Sequence, residues 1–347
     1  MSITIVPLTD QDRPAWDSYV QNSPHGMPMQ LSAWRDILSR AYRYETYFMM
    51  AVDGGRPVGV MPLFLVRSLL VGKSLTTTPG GLCADGEQVA CALLEKGREM
   101  ARRLKADRLV LQDTRVPWPG DLQTSLQHVT WPVEPASCQE HLKRRVSHSV
   151  RRSVAVAREN GLDVKIGCTA QMLDDFYYVL SHFTHQAGTP VFGRSFIYNV
   201  VRTFRDSVIV NVYRDREPLG SYFLLQLGKS WHGIWGSTLH AYLPLKATYL
   251  AYWEMLAEAA RRGCDLVDLG RSPAGSGASQ FKAQWGGTAV PVYQQVASLD
   301  KREGDVPIAS RVYTDSKFQL FMRVWPRLPF SVAQYLGPKL RRHVPFA

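Results

Sequence analysis

No run in this 347-residue sequence is apolar for long enough to span a bilayer. The longest, VGVMPLFLV from Val58 to Val66, is broken by Gly59 and Pro62 and falls far short of the ~20 residues a spanning helix needs. The opening MSITIVPLTDQD has no basic region followed by an apolar core, so no signal peptide is expected and the protein is read as cytoplasmic. Cysteine is scarce. Cys83, Cys91, Cys138, Cys168 and Cys264 are odd in number and form no C-x-x-C pair, which fits buried thiols in a reducing compartment rather than a disulfide framework. Metal-ligand spacing is missing as well. His182 and His185 stand three apart without a carboxylate or cysteine at ligand spacing, and His25, His232 and His240 stand alone, so no metal site is expected. The G-x-S-x-G, P-loop and strand-then-G-x-G-x-x-G patterns are absent, which leaves hydrolase, NTPase and dehydrogenase readings without support.

Acidic charge is also short. Forty-one Lys and Arg face 30 Asp and Glu, a net charge of +11, which implies an anionic partner: a nucleic acid, a nucleotide or phosphosugar, or a membrane surface. The deficit is sharpest in two places. Gln139 to Asn160 reads as a basic helical stretch with Lys143, Arg144, Arg145, Arg151, Arg152 and Arg158. The tail after Lys301 mixes large apolar residues with Lys317, Arg323, Arg327, Lys339, Arg341 and Arg342, and Asp315 is the only acid near them. Two readings of this tail stand side by side. One is a basic amphipathic segment on an anionic membrane, peripheral to the inner face; the other is an arm packed on the second domain.

What the chain does have is an internal repeat. GGRPVGVMPLFLV (Gly54 to Val66) answers DREPLGSYFLLQL (Asp215 to Leu227), and ARRLKADRLVLQD (Ala101 to Asp113) answers ARRGCDLVDLG (Ala260 to Gly270), in nearly one register. Each half reads as strand, two helices, three antiparallel strands, helix, strand, segment and strand. Val129 to Val133 is expected to close the first sheet, and Val290 to Val296 the second. The expected division is a first domain over 1–135, a basic helical linker over 136–162, a second domain over 163–300 and a C-terminal extension over 301–347. This α+β order is that of tandem GNAT acyltransferase-like domains, a fold analogy that does not fix function.

The stretch DLVDLGRSPAGSGASQFKAQWGGTAVPVY, Asp265 to Tyr293, holds the densest chemistry. A strand leads into a loop with Gly270, Gly275 and Gly277, where the backbone can bend and approach a ligand. Arg271 and Lys282 add cations suited to an anion or a developing negative charge. A GNAT domain that uses acetyl-CoA cradles its pyrophosphate in a glycine-containing loop before the central helix. HAYLPLKAT stands there in the second half without a glycine, and TTPGGLCADGEQ in the first half has glycines but not the usual arginine spacing, which argues against ordinary acetyl-CoA use.

The residues Trp235-Gly236-Ser237, Tyr249 to Glu254, Gly263-Cys264, Asp268-Leu269-Gly270-Arg271-Ser272, Gly275-x-Gly277 and Phe281-Lys282-x-x-Trp285-Gly286 resemble the FemAB/FemX group of tandem-GNAT transferases. The tail pieces Trp325 to Pro329 and Leu336 to Pro338 are similar to the FemAB-like proteins associated with the XrtA/PEP-CTERM exosortase system. Gln30-x-x-x-Trp34 and Ser149 to Arg152 resemble positions in the first half of the family.

The resemblance implies transfer of an aminoacyl or acyl group to an amine or hydroxyl of a cell-envelope or exopolysaccharide precursor. No cofactor is expected to be tightly bound, and the donor is aminoacyl-tRNA or acetyl-CoA. It also implies that Lys282 stabilises a carbonyl oxyanion or binds the donor; the plainer alternative is a lysine paired with Asp268 or Asp265. Arg271 is expected to grip a phosphate or carboxylate. Asp268 either orients it, acts as a base, or satisfies loop amides. Trp235, Gly236, Ser237, Ser272, Gly275, Gly277, Phe281 and Trp285 are expected to line the substrate site. Arg151 and Arg152 are expected to hold acceptor phosphates, unless they form a solvated face. Gln30 and Trp34 are expected to line the first-domain cleft, unless Trp34 is core. Two other functions remain open: an acetyl-CoA-dependent N- or O-acetyltransferase, and a non-catalytic adaptor that binds anions through its basic surface.

Overall fold

The computed structural model describes residues 3–68, 72–135, 139–299 and 316–343. Cys138 and Asp315 lie outside the described residues, as does the side chain of Lys317. The chain divides into two compact units. The first holds Met1–Gln127, Val292–Arg323 and Pro338–Ala347; the second holds His128–Pro291 and Val324–Gly337.

In the first unit, strands β1 (Thr4–Pro7), β2 (Glu45–Asp53), β3 (Arg56–Ser68), β4 (Gly72–Thr77) and β6 (Arg108–Thr114) lie in that order, with β5 (Cys83–Ala84) beside β3. Pairing is antiparallel except between β4 and β6, which run parallel from Ser74/Arg108 to Thr76/Val110. Alternation along the strands sends Met49, Met61, Leu63 and Leu75 to one face, where helix α3 (Glu87–Arg103) buries Ala90, Leu93, Leu94 and Ala101 against them. Helices α1 (Arg13–Asn22) and α2 (Trp34–Tyr42) supply two fully buried indoles, Trp16 and Trp34. Trp16 stacks on Phe48.

Strand β7 (Gln123–Thr130) passes into the second unit. There β8 (Pro132–Val133), β13 (Leu266–Asp268), β12 (Ser230–Thr238), β11 (Glu217–Leu227), β10 (Val208–Arg214) and β9 (Asp163–Gly167) form a six-stranded sheet in that order. Its one parallel pair is β12 with β13, over Ser230/Leu266 to His232/Asp268. One face carries Val210, Val212, Leu224, Trp231 and Val267 against helices α5 (His148–Glu159) and α8 (Ala247–Arg261). The other receives Phe176 of helix α6 (Ala170–Gln186), tilted against Phe223 at 5.7 Å, and Phe196 of helix α7 (Arg194–Thr203), edge-on to Trp235.

Four expectations differ from the structure. Val129 to Val133 is split between the sheets: Val129 and Thr130 end β7, which lies in the first sheet beside β15, whereas β8 pairs antiparallel with β13, Val133 opposite Val267. Strand β15 (Val290–Ser298) does not close the second: it pairs with β6, Val296 opposite Val110 and Ala297 opposite Leu109. Each closing strand therefore comes from the other half of the sequence. Alternating hydrophobicity announces a strand but not the edge it joins, because pairing is non-local. The basic stretch is likewise no linker. Helix α4 (Gln139–Arg145) and α5, with Val146 between them, bury Leu142, Val146, Val150, Val154 and Ala157 in the second core, with their cations outward. The C-terminal extension is not a separate piece either. In the helix Phe330–Arg341, Ala333 is buried and Phe330 stacks on His182 of α6 at 3.9 Å, so Val324–Gly337 is an arm of the second unit, whereas Pro338 onward groups with the first.

Candidate active site

The site grows from the place where the parallel pair of the second sheet ends. Beyond His232/Asp268, β12 continues to Thr238 paired with β11, while β13 stops and the chain turns through Leu269, Gly270 and Arg271. Gly270 holds φ at +82°, and a Cβ there would lie 2.5 Å from the carbonyl oxygen of Gly233, so only glycine fits. Asp268 ties this turn. Its Oδ1 accepts the Gly270 amide at 2.8 Å and the hydroxyl of Thr130. Ser272 and Pro273 then form β14, paired with Val129 and His128 of β7. Ser276 caps the next helix, α9 (Gly277–Ala283), by accepting the Ser279 amide.

Helix α9 sends Phe281 into an aromatic cluster, 4.9 Å from Tyr249 and 5.0 Å from Tyr252, with fully buried Trp285 beyond it. This packing fixes the helix and with it Lys282. The side chain is only 8% exposed, and Nζ donates to the carbonyl oxygens of Gly270 at 2.9 Å and Arg271 at 3.2 Å. An ammonium has three N–H donors; the two carbonyls leave one for a substrate oxygen. Burial pushes the Lys282 amine down to about 8; Asp268 opposes that fall and Arg271 adds to it. Asp265, the other candidate partner, faces Lys229 at 3.9 Å. Arg271 itself is exposed.

The structure therefore brings Asp268, Gly270, Arg271, Ser272, Phe281, Lys282 and Trp285 together in one turn-and-helix unit. Gly275, at φ +71°, and Gly277 form the bend and first turn before α9. Other expected site residues fall elsewhere. Trp235 shares its sheet face with Phe223 and packs on Phe192 and Phe223, away from the Tyr252 cluster. Gly236 makes room for the Tyr222 ring, which a Cβ would meet at 2.3 Å. Ser237 is buried and donates to the Thr238 carbonyl. Arg151 and Arg152 are exposed on α5, and Arg151 donates to the Lys143 carbonyl. In the first unit Gln30 is fully buried. Its amide donates to the carbonyls of Gly80 and Gly81 and accepts the Met27 amide, which spends it on the turn at Pro79. The Trp34 indole donates to Pro28 O at 2.9 Å from within the core. Both are structural residues rather than the cleft lining the sequence suggested.

Sequence reasoning missed Thr130, Tyr222 and Thr248. The hydroxyls of Tyr222 and Thr248 each lie 3.0 Å from that of Thr238. Thr130 carries no signal of its own, because the sequence places it only within a strand, Val129 to Val133, expected to close the first sheet. Helix α8 is entered by a 3-10 turn, His240–Leu245, which contains no glycine, and by Lys246 at φ +63°. Among the described residues no group of three or more His, Cys, Asp and Glu is placed to hold a metal ion, and no helix is long and apolar enough to cross a membrane.

Residues 144–283 match the family model described as an acetyltransferase (GNAT) domain. No curated protein matches the chain. Among solved structures, FemX is 14% identical with a TM-score of 0.65, covering 84% of this chain and 96% of its own. The C-terminal domain of a putative lysylphosphatidylglycerol synthetase from Agrobacterium fabrum is 13% identical with a TM-score of 0.56, covering 82% and 91%. A tandem GNAT protein from the clavulanic acid biosynthesis pathway is 12% identical with a TM-score of 0.55, covering 87% and 100%. The chain is thus an α+β protein of two tandem GNAT-like domains, and the second carries the acyltransferase-family match.

Proposed function

We propose that this protein transfers an aminoacyl or acyl group onto an amine or hydroxyl of a cell-envelope or exopolysaccharide precursor. The observation that carries the reading is the buried Lys282 ammonium, held by two backbone carbonyls at the end of β13 with one N–H unspent. In acyl transfer the acceptor's lone pair attacks the donor carbonyl. The C–O or C–S bond to the donor's carrier then breaks, and the carrier leaves with a proton. Negative charge builds on the carbonyl oxygen in between. A preorganised cation in a dry site stabilises that charge, and one such donor is worth roughly 3 kcal/mol. Arg271, exposed beside it, suits a phosphate of the donor or acceptor. FemX and a lysylphosphatidylglycerol synthetase share the fold, which favours an aminoacyl donor carried on tRNA.

A second donor, acetyl-CoA, is favoured by the GNAT acetyltransferase match and disfavoured by the glycine-free entry to α8. Calorimetric titration with acetyl-CoA separates the two: the aminoacyl reading expects no micromolar binding. Mass spectrometry of envelope glycans from cells with and without the protein is expected to show one acyl or aminoacyl mass missing; unchanged glycans would sink the acceptor class.

Peripheral contact with an anionic membrane is a further part of this reading. Leu320, Val324, Val332 and Tyr335 are exposed large apolar residues, and residues 316–343 contain no acid. Sedimentation with phosphatidylglycerol vesicles is expected to carry the protein down, and phosphatidylcholine vesicles to leave it in solution. Equal behaviour with both lipids would remove the membrane from the account.

A further inference from the structure

We infer that Asp268 is a positioning residue for Lys282, and that Thr130 holds Asp268 in that role. The inference rests on the proposal that Lys282 meets the reacting carbonyl. It replaces the base role that the sequence allowed for Asp268 with a geometric and electrostatic one.

The links are short and continuous. Asp268 is 5% exposed and Thr130 2%. A carboxylate so buried is costly unless donors surround it. Here Oδ1 accepts two of them, the Thr130 hydroxyl and the Gly270 amide at 2.8 Å. The Gly270 amide belongs to the residue whose own carbonyl, with that of Arg271, receives the Lys282 ammonium. The carboxylate therefore sets the pitch of the turn, and the turn sets where the ammonium sits. Thr130 enters from β7, just before β8 joins the edge of the second sheet. Its hydroxyl fixes the same carboxylate oxygen that takes the Gly270 amide.

Charge supports the same assignment. Asp268 favours the protonated amine, against burial and Arg271. The rest of α9 brings no competing charge, since its sequence is GASQFKA. From β12, His232 stands in register with Asp268, and its Nε2 is engaged with the Ser230 hydroxyl at 2.8 Å. A base must be reached by the acceptor; Asp268 is 5% exposed and its Oδ1 takes two internal donors, an arrangement suited to holding the turn.

The test reads Lys282 directly. Trace labelling of the full chain with acetic anhydride across pH, followed by mass spectrometry of the Lys282 peptide, gives the midpoint of its titration. Asp268→Asn keeps an acceptor oxygen and removes the charge. Its midpoint is expected to fall by about one pH unit, and the alkaline limb of kcat/KM to move with it. Thr130→Val is expected to lower kcat about tenfold, and Thr130→Ser to restore most of it. An unmoved midpoint in Asp268→Asn overturns the inference and leaves the Lys282 reading standing. A midpoint that moves while the kcat/KM limb stays keeps the positioning role and removes Lys282 from the chemistry. Should Asp268→Asn not fold by circular dichroism, the threonine pair decides: equal activity in Thr130→Val and Thr130→Ser overturns the inference.

Discussion

Lys282→Met is expected to lower kcat/KM for acyl transfer between about 10² and 10³-fold while leaving the fold intact. Methionine matches the length of the lysine stem and keeps its packing, so a loss would report the missing ammonium and not a cavity. The pH dependence sharpens this. Oxyanion stabilisation needs the protonated amine. Burial lowers the Lys282 amine to about 8, so activity from this group is full below that pH and falls as pH rises through it. A general base would show the opposite sign, rising through the same pH. Lys282→Arg keeps a charge that does not titrate there. It is expected to retain part of the activity and to lose the alkaline fall. A non-catalytic adaptor predicts that neither substitution changes function.

Gly270→Ala is the second large effect, and it acts on stability and activity together. The residue sits at φ +82°, where an L side chain is strained, and the added Cβ would press at 2.5 Å on a backbone oxygen of Gly233. Backbone cannot rotate away as a side chain can, so β12 and the turn must separate. The combined cost is expected to be roughly 3 kcal/mol or more of unfolding free energy, read by urea denaturation. The same displacement moves one of the two carbonyls that hold Lys282, so the folded fraction is expected to be impaired as well. Gly275→Ala is the control. It also has positive φ, but nothing lies within 4 Å of its Cβ, and its cost should stay near 1 kcal/mol. Equal stability losses at the two positions would contradict the close approach of β12 and the turn.

What the sequence made legible was local. The repeated segments that become β3 and β11 and the glycine-rich turn before α9 form where their residues place them. What stayed hidden was non-local. β8 and β15 are recognisable as strands, but nothing in their residues names Val267 or Val110 as partners. The basic residues of α4 and α5 drew attention away from Val146, Val150 and Val154, which are the ones that pack. Gln30 and Trp34 are expected in a cleft only through the resemblance of Gln30-x-x-x-Trp34 to family positions. Both instead satisfy backbone groups inside a core, a use that sequence spacing cannot distinguish. Thr130 is the reverse case: a residue with no motif of its own whose place at Asp268 depends on a crossing of the chain.

The proposed chemistry requires a buried, protonated Lys282 to meet the reacting carbonyl. The most direct measurement is the pH profile of kcat/KM for the wild-type protein and Lys282→Arg with the same donor. The prediction is a fall through about pH 8 in the wild type and none in the arginine variant. A wild-type profile that rises through that pH, or one that falls identically in both proteins, would contradict it.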